Sequence, residues 1–158
     1  IRFAKADIDS YLAARIIDFI RYEFLRLKIS FTFETVMSHE SKVAFLKDAQ
    51  LQGFKTYLYY VSTVDPLINI ARVQYRVSVG GHPVPEKKIV ERYYRSMDLL
   101  MQAVDASDRA YLFDNSSNGE KAAFIAEIQS AETLKMNPDV LHLPWLFAEK
   151  VLKEFIDE

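Results

Sequence analysis

The chain has 158 residues, half of them apolar and 13% aromatic, which is enough for the core of one compact domain and excludes a disordered protein. Its net charge of -2 argues against a general binder of nucleic acid or anionic membranes, which needs an excess of Lys and Arg. Cysteine is absent and no apolar run reaches the roughly 20 residues that span a bilayer, so we expect a cytoplasmic protein without disulfides or a membrane partner.

The first third of the chain predicts a helix, a strand and a second helix. Apolar residues recur at helical spacing over residues 10–28. Residues 29–36 alternate β-branched or aromatic residues with polar ones, which is typical of a strand. A second helix is predicted over residues 38–52, and Gly53 stands where a left-handed C-cap belongs.

The middle of the chain predicts a buried strand followed by two helices. Residues 54–62 are nearly continuous in apolar character, as in a strand that is buried on both faces. Asp65 followed by Pro66 is typical of a helix start, and this helix is expected to run to the glycine pair 80–81. A long helix is then predicted over about residues 86–104.

The last third predicts two more strands and a final helix. Residues 110–114 form a short strand, and residues 115–119 form a turn cluster. A further strand over residues 121–129 would pair across that turn, and a last helix opens at Pro144. Strands that alternate with helices imply βαβ units, so the predicted fold class is α/β: one domain over residues 1–158, with a mostly parallel sheet flanked by helices.

Polar residues follow the predicted strands at the edge where parallel sheets bind ligands. They are Glu34, Thr35 and Ser38 after the first strand, Asp65 after the second and Asn115 after the third. The alternative is that such residues cap helices and form turns, and for Asp65 that interpretation is favoured. For Glu34 both interpretations stay open, because a carboxylate within a strand is costly to bury without a partner.

A basic region lies between Arg72 and Arg95, with six lysines and arginines and only two glutamates. Arg72 and Arg76 share one helix face, and Arg92 and Arg95 share a face of the next helix. A helical hairpin joined through residues 80–85 would turn these guanidinium groups toward one anion, such as a phosphate. The alternative, which composition alone favours, is a solvated face with ordinary ion pairs.

Two kinds of site lack sequence support. The only glycines are Gly53, Gly80, Gly81 and Gly119, and no two of them have the spacing of a phosphate-binding P-loop. His39 and His142 lack a partner at ligand spacing, so no metal site is predicted from the chain's own residues.

An ordered set of short segments spans most of residues 10–117. The segments are FETVMS at 33–38, TYLYYVS at 56–62, NIARV at 69–73, RV at 76–77, GGHPVP at 80–85, KI at 88–89, RYYRS at 92–96, DRAY at 108–111 and FDNS at 113–116. As a set they resemble the zeta-toxin-like family of P-loop kinases, in the branch with the Gly-Gly-His-x-Val-Pro pattern.

The resemblance implies a bacterial P-loop NTPase-like protein with three layers. It would use ATP and Mg²⁺ to phosphorylate a small molecule. Toxin members phosphorylate the 3′-hydroxyl of UDP-N-acetylglucosamine and pair with an antitoxin protein, so a nucleotide-sugar substrate and an antitoxin partner are expectations. The lid would span about residues 65–105.

The resemblance also implies roles for particular residues. Arg72 matches a lid arginine that contacts ATP phosphates, and Asn115 would contact the base. His82 lies where the toxins place a second lid arginine, and with Arg76 it completes the expected catalytic set. The expected substrate-binding residues are Glu34, Thr35, Ser38, Arg92 and Arg95.

The chain departs from the family in its first motif. The P-loop lysine, its Ser/Thr and the expected catalytic aspartate would all precede residue 1, so we expect a kinase fragment that is inactive by itself. A missing first strand and P-loop helix would uncover a sheet edge and favour a homodimer. The alternative is a non-catalytic nucleotide- or ligand-binding domain on the same scaffold. A nucleic-acid-binding module is poorly supported, because the rest of the chain is acidic.

Overall fold

The computed structural model describes residues 10–117 and 121–140, together with the helical residues Val151, Lys153 and Phe155. Two compact units make up the chain, Ile1–Glu34 and Thr35–Glu158. The end of the predicted turn at 118–119, His142 and most of the predicted last helix lie outside the described residues. None of the helices in the described residues is long and apolar enough to cross a membrane.

The first unit contains helix α1, Ser10–Arg26, which confirms the predicted helix. Beyond the last helical residue, Arg26, Lys28 has a φ of 57° in the left-handed region, and the amide of Ile29 donates to the carbonyl of Phe24 over 3.0 Å. The chain then returns along the helix, since the rings of Phe24 and Phe31 lie 5.2 Å apart.

The predicted strand over residues 29–36 is wrong, because these residues have no regular secondary structure. The aromatic side chains that suggested strand alternation pack locally instead. Phe31 stacks on Phe33 at 6.1 Å, and the guanidinium of Arg21 lies 4.2 Å from the centre of the Phe33 ring. Alternating aromatic residues therefore satisfy their packing here without a sheet.

The second unit begins with α2, Glu40–Leu51, which confirms the second predicted helix. His39 caps it, because its Nδ1 accepts from the amide of Ser41 over 3.2 Å. Gly53 has the expected left-handed φ of 83°. The buried face of α2 consists of Val43, Phe45, Leu46 and Ala49.

Strand β1, Tyr57–Ser62, leads into helix α3, Pro66–Ser78. Asp65 caps α3 as predicted, with its Oδ1 accepting from the amide of Leu67 over 2.7 Å. The predicted helix over residues 86–104 is two helices, α4 (Glu86–Asp98) and α5 (Leu100–Asp105). Leu99 separates the two helices, and both Leu99 and the adjacent Leu100 are buried.

In the described part of the chain, the sheet has four strands in the order β1-β2-β3-β4. The remaining strands are β2 (Arg109–Asp114), β3 (Ala123–Gln129) and β4 (Thr133–Met136), and the sequence pattern did not predict β4. Strands β1 and β2 pair in parallel, whereas β2–β3 and β3–β4 are antiparallel.

The expected mostly parallel, P-loop NTPase-like sheet is therefore wrong. Strands β1 and β2 are joined by three helices, which are long enough for a parallel crossover. The connections that follow β2 and β3 are too short for a crossover, so those strands return as hairpins. The fold is a small α/β unit with a mixed sheet.

The core lies on one face of this sheet. Buried residues of β1–β3 pack with those of α4 and α5, and the most deeply buried are Leu100, Val104, Leu112, Ile125 and Ile128. Strand β1 was expected to be buried on both faces, which is also wrong: Leu58, Tyr60 and Ser62 are buried, but the alternate residues are exposed. The sequence could not show this, because tyrosine and valine at the exposed positions are as apolar as a buried strand requires.

Candidate phosphate-binding site

The carboxyl ends of β1 and β2 meet at one edge of the sheet, because the two strands are adjacent and parallel. The loops that leave them are hydrogen-bonded to each other. The amide of Asn115 donates to the carbonyl of Ser62 over 2.7 Å, and the amide of Val64 donates to Ser116 Oγ over 2.9 Å. The β1–α3 loop and the loop after β2 therefore form one cluster, which we call the carboxyl-end cluster (residues 62–65 and 114–117).

Thr63 is the buried centre of this cluster, with only 4% of its surface exposed. Its carbonyl accepts from the hydroxyl of Tyr93 over 2.7 Å, and its Oγ1 accepts from Nδ2 of Asn69 over 2.9 Å. Burial raises the pKa of Tyr93 to about 12, so its hydroxyl stays neutral and remains a donor at physiological pH. These contacts tie helices α3 and α4 to the end of β1.

Asp114 shapes the second loop. Its Oδ1 accepts from the amide of Ser116 over 3.0 Å and also from the hydroxyl of the same serine. The carboxylate therefore fixes the turn after β2, as aspartate commonly does. The predicted turn after this strand is confirmed for the residues that the structure describes.

Arg72 extends from α3 to this second loop. Its Nη2 donates to the carbonyl of Ser117 over 3.2 Å, and the residue is half-buried. Within residues 10–117 and 121–140, no carboxylate lies within ion-pair distance of its guanidinium. Its other N–H groups can therefore meet an anion such as a phosphate, for whose oxygens the planar arginine fork is well suited.

The other basic residues lie on the predicted helical hairpin, which the structure confirms. Helices α3 and α4 are joined by a hydrogen bond of 2.9 Å between Gln74 Nε2 and Glu86 Oε1. Nη2 of Arg95 lies 3.9 Å from Oε2 of Glu91, an ion pair of the kind that the alternative of a solvated face predicts. Arg76 and His82 are exposed, and Arg92 is half-buried. Among the described contacts, only that of Arg72 connects this basic set to the carboxyl-end cluster.

The residues predicted to bind substrate after the first strand lie elsewhere in the chain. Glu34 is exposed and belongs to the first unit, while Thr35 is exposed and Ser38 is half-buried in the second. The strand that was to present them is absent from the described structure, so their expected role loses its structural basis. Sequence reasoning also missed Tyr93, whose buried hydroxyl supports the cluster. Its only signal was its place next to Arg92 in the RYYRS segment.

The described residues do not fit a protein-held Mg²⁺. Nowhere in those ranges do three His, Asp or Glu side chains form a metal-binding group. The two carboxylates nearest the strand ends, Asp65 and Asp114, are already bonded to backbone amides.

Comparison with known proteins gives one relative. No family model matches the chain, and no solved structure matches it. An uncharacterized protein from Haemophilus influenzae is 33% identical over 69 residues, which are 44% of this chain and 49% of that protein. The matched region thus spans about half of the relative's length, and this similarity carries no activity with it.

Proposed function

We propose that this chain carries the phosphate-contacting residues of an ATP-dependent small-molecule kinase of the zeta-toxin-like kind. In this proposal Arg72 contacts the ATP phosphates and Asn115 contacts the base, while Arg76 and His82 lie near the transferred phosphoryl group. On the substrate side, for a small molecule such as a nucleotide sugar, the proposal keeps Arg92 and Arg95 of α4.

The observation that carries the proposal is the position of Arg72. It is half-buried, bonded to the Ser117 carbonyl and not neutralised by a described carboxylate. Asn115 lies in the loop that Arg72 reaches, and the proposal assigns it the contact with the base. Phosphoryl transfer depends on cations that stabilise the charge of the transferred group, and an arginine held in this way supplies one. The ordered set of family-like segments between residues 33 and 116 supports the same function.

The alternative is a non-catalytic domain that binds a nucleotide or another phosphorylated ligand. One observation favours it: none of the glycine spacings in this sequence forms a P-loop. The proposal therefore assigns neither the phosphate loop nor the catalytic base to these residues. Both functions share Arg72 as the phosphate ligand, and they differ in whether phosphoryl transfer occurs.

The experiment is a phosphoryl-transfer assay on the protein purified from its native source, with ATP and a panel of acceptors that includes UDP-N-acetylglucosamine. The kinase proposal predicts transfer, and it predicts that Arg72→Ala lowers transfer by about 100-fold at unchanged folding. Arg26→Ala is the matched control, because Arg26 is exposed and its guanidinium bonds to Glu23 of its own helix. Transfer that is unchanged in Arg72→Ala contradicts the proposal. ATP binding without any transfer favours the non-catalytic alternative.

We also propose a cytoplasmic location, since ATP is the phosphoryl donor and the chain has no cysteine. An antitoxin protein is a proposed partner if the kinase proves to be toxic. Expression of the protein in cells, with and without a candidate antitoxin, measures toxicity directly, because a toxic kinase arrests growth and the variant Arg72→Ala does not.

A further inference from the structure

Strand β1 is an open edge in the described part of the sheet. It pairs with β2 on one side, and no described strand pairs with it on the other. Even-numbered residues face β2: the carbonyl of Thr56 accepts from the amide of Asp108, and the carbonyl of Ser62 accepts from the amide of Asn115. Backbone groups alternate in direction along a strand, so the amides and carbonyls of Tyr57, Tyr59 and Val61 point to the open edge.

The same three residues place their side chains on the exposed face of the sheet. Tyr57 is 54% exposed, Tyr59 is 65% exposed and Val61 is 54% exposed. Neighbouring strands continue this apolar face, because Tyr59 stacks on Tyr111 at 5.0 Å and Phe113 packs on Phe124 at 5.6 Å. We call this surface, formed by the outer side of β1 and these aromatic rings, the β1 edge surface.

The chemistry of the β1 edge surface selects a polypeptide strand rather than a nucleic acid. Single-stranded nucleic acid binds where a positively charged groove accompanies the aromatic rings. The nearby basic side chains are paired, Lys55 with Asp108 at 2.6 Å and Arg109 with Glu127 at 2.8 Å. Three outward amides and three outward carbonyls instead match the backbone of an added strand.

The edge also lacks the features that prevent strands from pairing. Natural edge strands carry charged residues, proline or a bulge, whereas β1 reads Tyr-Leu-Tyr-Tyr-Val-Ser and has none of these. The one irregularity in the sheet lies between Leu112 and Phe113, on the side of β2 that faces β3. Within the described residues, the sequence of β1 therefore carries nothing that blocks pairing along its outer edge.

We propose that β1 pairs antiparallel with β1 of a second copy of this chain, forming a two-fold dimer with one continuous sheet. Self-pairing is favoured because the strand is uncharged, so that no like charges oppose each other across the two-fold axis. A two-fold axis perpendicular to the sheet also keeps the exposed aromatic faces of both copies on the same side, where they extend each other.

The exposed area sets the expected strength of this dimer. Aromatic side chains cover about 150–250 Å² each, so the exposed parts of Tyr57, Tyr59, Val61 and Phe124 amount to roughly 400 Å² in each copy. Two copies bury at most about 800 Å² in this way, which is less than the roughly 1,200–2,000 Å² of stable interfaces. We therefore expect a reversible dimer with a dissociation constant of about 10–100 μM.

Two measurements on the 158-residue chain test the proposal. Sedimentation or light scattering follows mass from about 1 μM to about 1 mM, a range that brackets the expected dissociation constant. Hydrogen exchange reports which amides pair. The amides of Tyr57, Tyr59 and Val61 should become protected only at high concentration, while those of Leu58 and Tyr60 are protected throughout.

Variants separate edge pairing from other association. Val61→Pro removes an outward amide and leaves the bonds to β2 intact, so it should keep the chain folded and monomeric. Tyr59→Lys places a charge on the same edge and should do the same. Tyr75→Lys is the control, because Tyr75 is 71% exposed on α3 and lies outside the β1 edge surface. The dissociation constant of its dimer should equal that of the unmodified chain.

Three results would overturn the proposal. The first is a chain that stays monomeric at every concentration. The second is a dimer that survives both Val61→Pro and Tyr59→Lys, since it would use another surface. The third is protection of the three outward amides in the dilute monomer, since another segment of the same chain would then pair with β1.

Discussion

Tyr93 is expected to hold the carboxyl-end cluster together through its single hydroxyl. That hydroxyl donates to the carbonyl of Thr63 over 2.7 Å, and both residues are buried. Tyr93→Phe removes the hydroxyl and keeps the ring, so the packing in the core and the edge contact with the Tyr94 ring at 5.3 Å remain. The substitution therefore isolates one hydrogen bond.

The expected cost follows from the group that is left behind. A hydrogen bond contributes about 0.5–1.5 kcal/mol net, and without Tyr93 the buried Thr63 carbonyl keeps only a long bond of 3.4 Å from Ser62 Oγ. Asn69 still holds the side chain of Thr63, which limits the rearrangement. We expect Tyr93→Phe to lower the free energy of unfolding by about 1–2 kcal/mol.

The assay is urea unfolding followed by circular dichroism, with Tyr94→Phe as the matched control. Tyr94 is the next residue of the same helix and is 48% exposed, so loss of its hydroxyl should change the free energy of unfolding by less than about 0.5 kcal/mol. Equal stability of Tyr93→Phe and the unmodified chain would refute the reasoning. Equal destabilisation by the two variants would also refute it.

The pH dependence gives a second check on Tyr93. Burial raises its pKa from 10.0 to about 12, so the unfolded chain releases this proton at a lower pH than the folded chain does. The contribution of Tyr93 is complete below pH 10.0 and is lost as the pH rises toward about 12. The difference in stability between the unmodified chain and Tyr93→Phe should therefore narrow over that range.

Two further variants test contacts at the other end of β1 and in the α3–α4 hairpin. Asp108→Ala should lower stability by about 1 kcal/mol at neutral pH, because the carboxylate accepts from Lys55 Nζ and from the amide of Thr56. The hydrogen bond from Lys55, and after it the bond from the Thr56 amide, hold the pKa of Asp108 below 3.8. The carboxylate therefore stabilises the fold above that pH, and this contribution is lost as the pH falls through the lowered pKa. Acid unfolding curves in which the unmodified chain and Asp108→Ala differ equally at every pH would contradict this. Gly81→Ala should lower the free energy of unfolding by about 1–3 kcal/mol, because a Cβ there would lie 2.8 Å from the carbonyl oxygen of Arg76. Gly53→Ala is the comparison, since a Cβ at Gly53 meets nothing within 4 Å and only the positive φ opposes it. Equal losses of stability for the two variants in urea unfolding would argue against the steric reason.

Local sequence signals predicted most of the helices and the strands of this chain. Asp65 before Pro66 placed the start of α3, and Gly53 placed the end of α2, because each signal depends on the backbone of only a few residues. The direction of the strands depends on the connections between them. The prediction of a mostly parallel sheet failed because residues 29–36 form no strand, and because the tight return at Ser130 and Ala131, both at positive φ, adds the antiparallel strand β4 from residues without an evident turn motif.

The candidate site was predicted in part. Asn115 directly follows β2, and Arg72 reaches the same loop from α3, whose start at Asp65 the sequence predicts. The substrate side depended on a strand at residues 29–36, which the structure does not contain. Tyr93 could not be found from sequence, because a tyrosine on the inner face of a helix is most simply explained as part of the core.

The most direct test of the phosphate site is a calorimetric titration of the 158-residue chain with ATP, and with adenosine as the ligand that lacks phosphate. We predict that ATP binds and adenosine does not. Arg72→Ala should weaken ATP binding by about 10- to 100-fold, because it removes one charge-assisted hydrogen-bonded contact. Arg26→Ala should leave the ATP affinity unchanged. Equal ATP affinity for the unmodified chain and Arg72→Ala would contradict the assignment of Arg72 as the phosphate ligand.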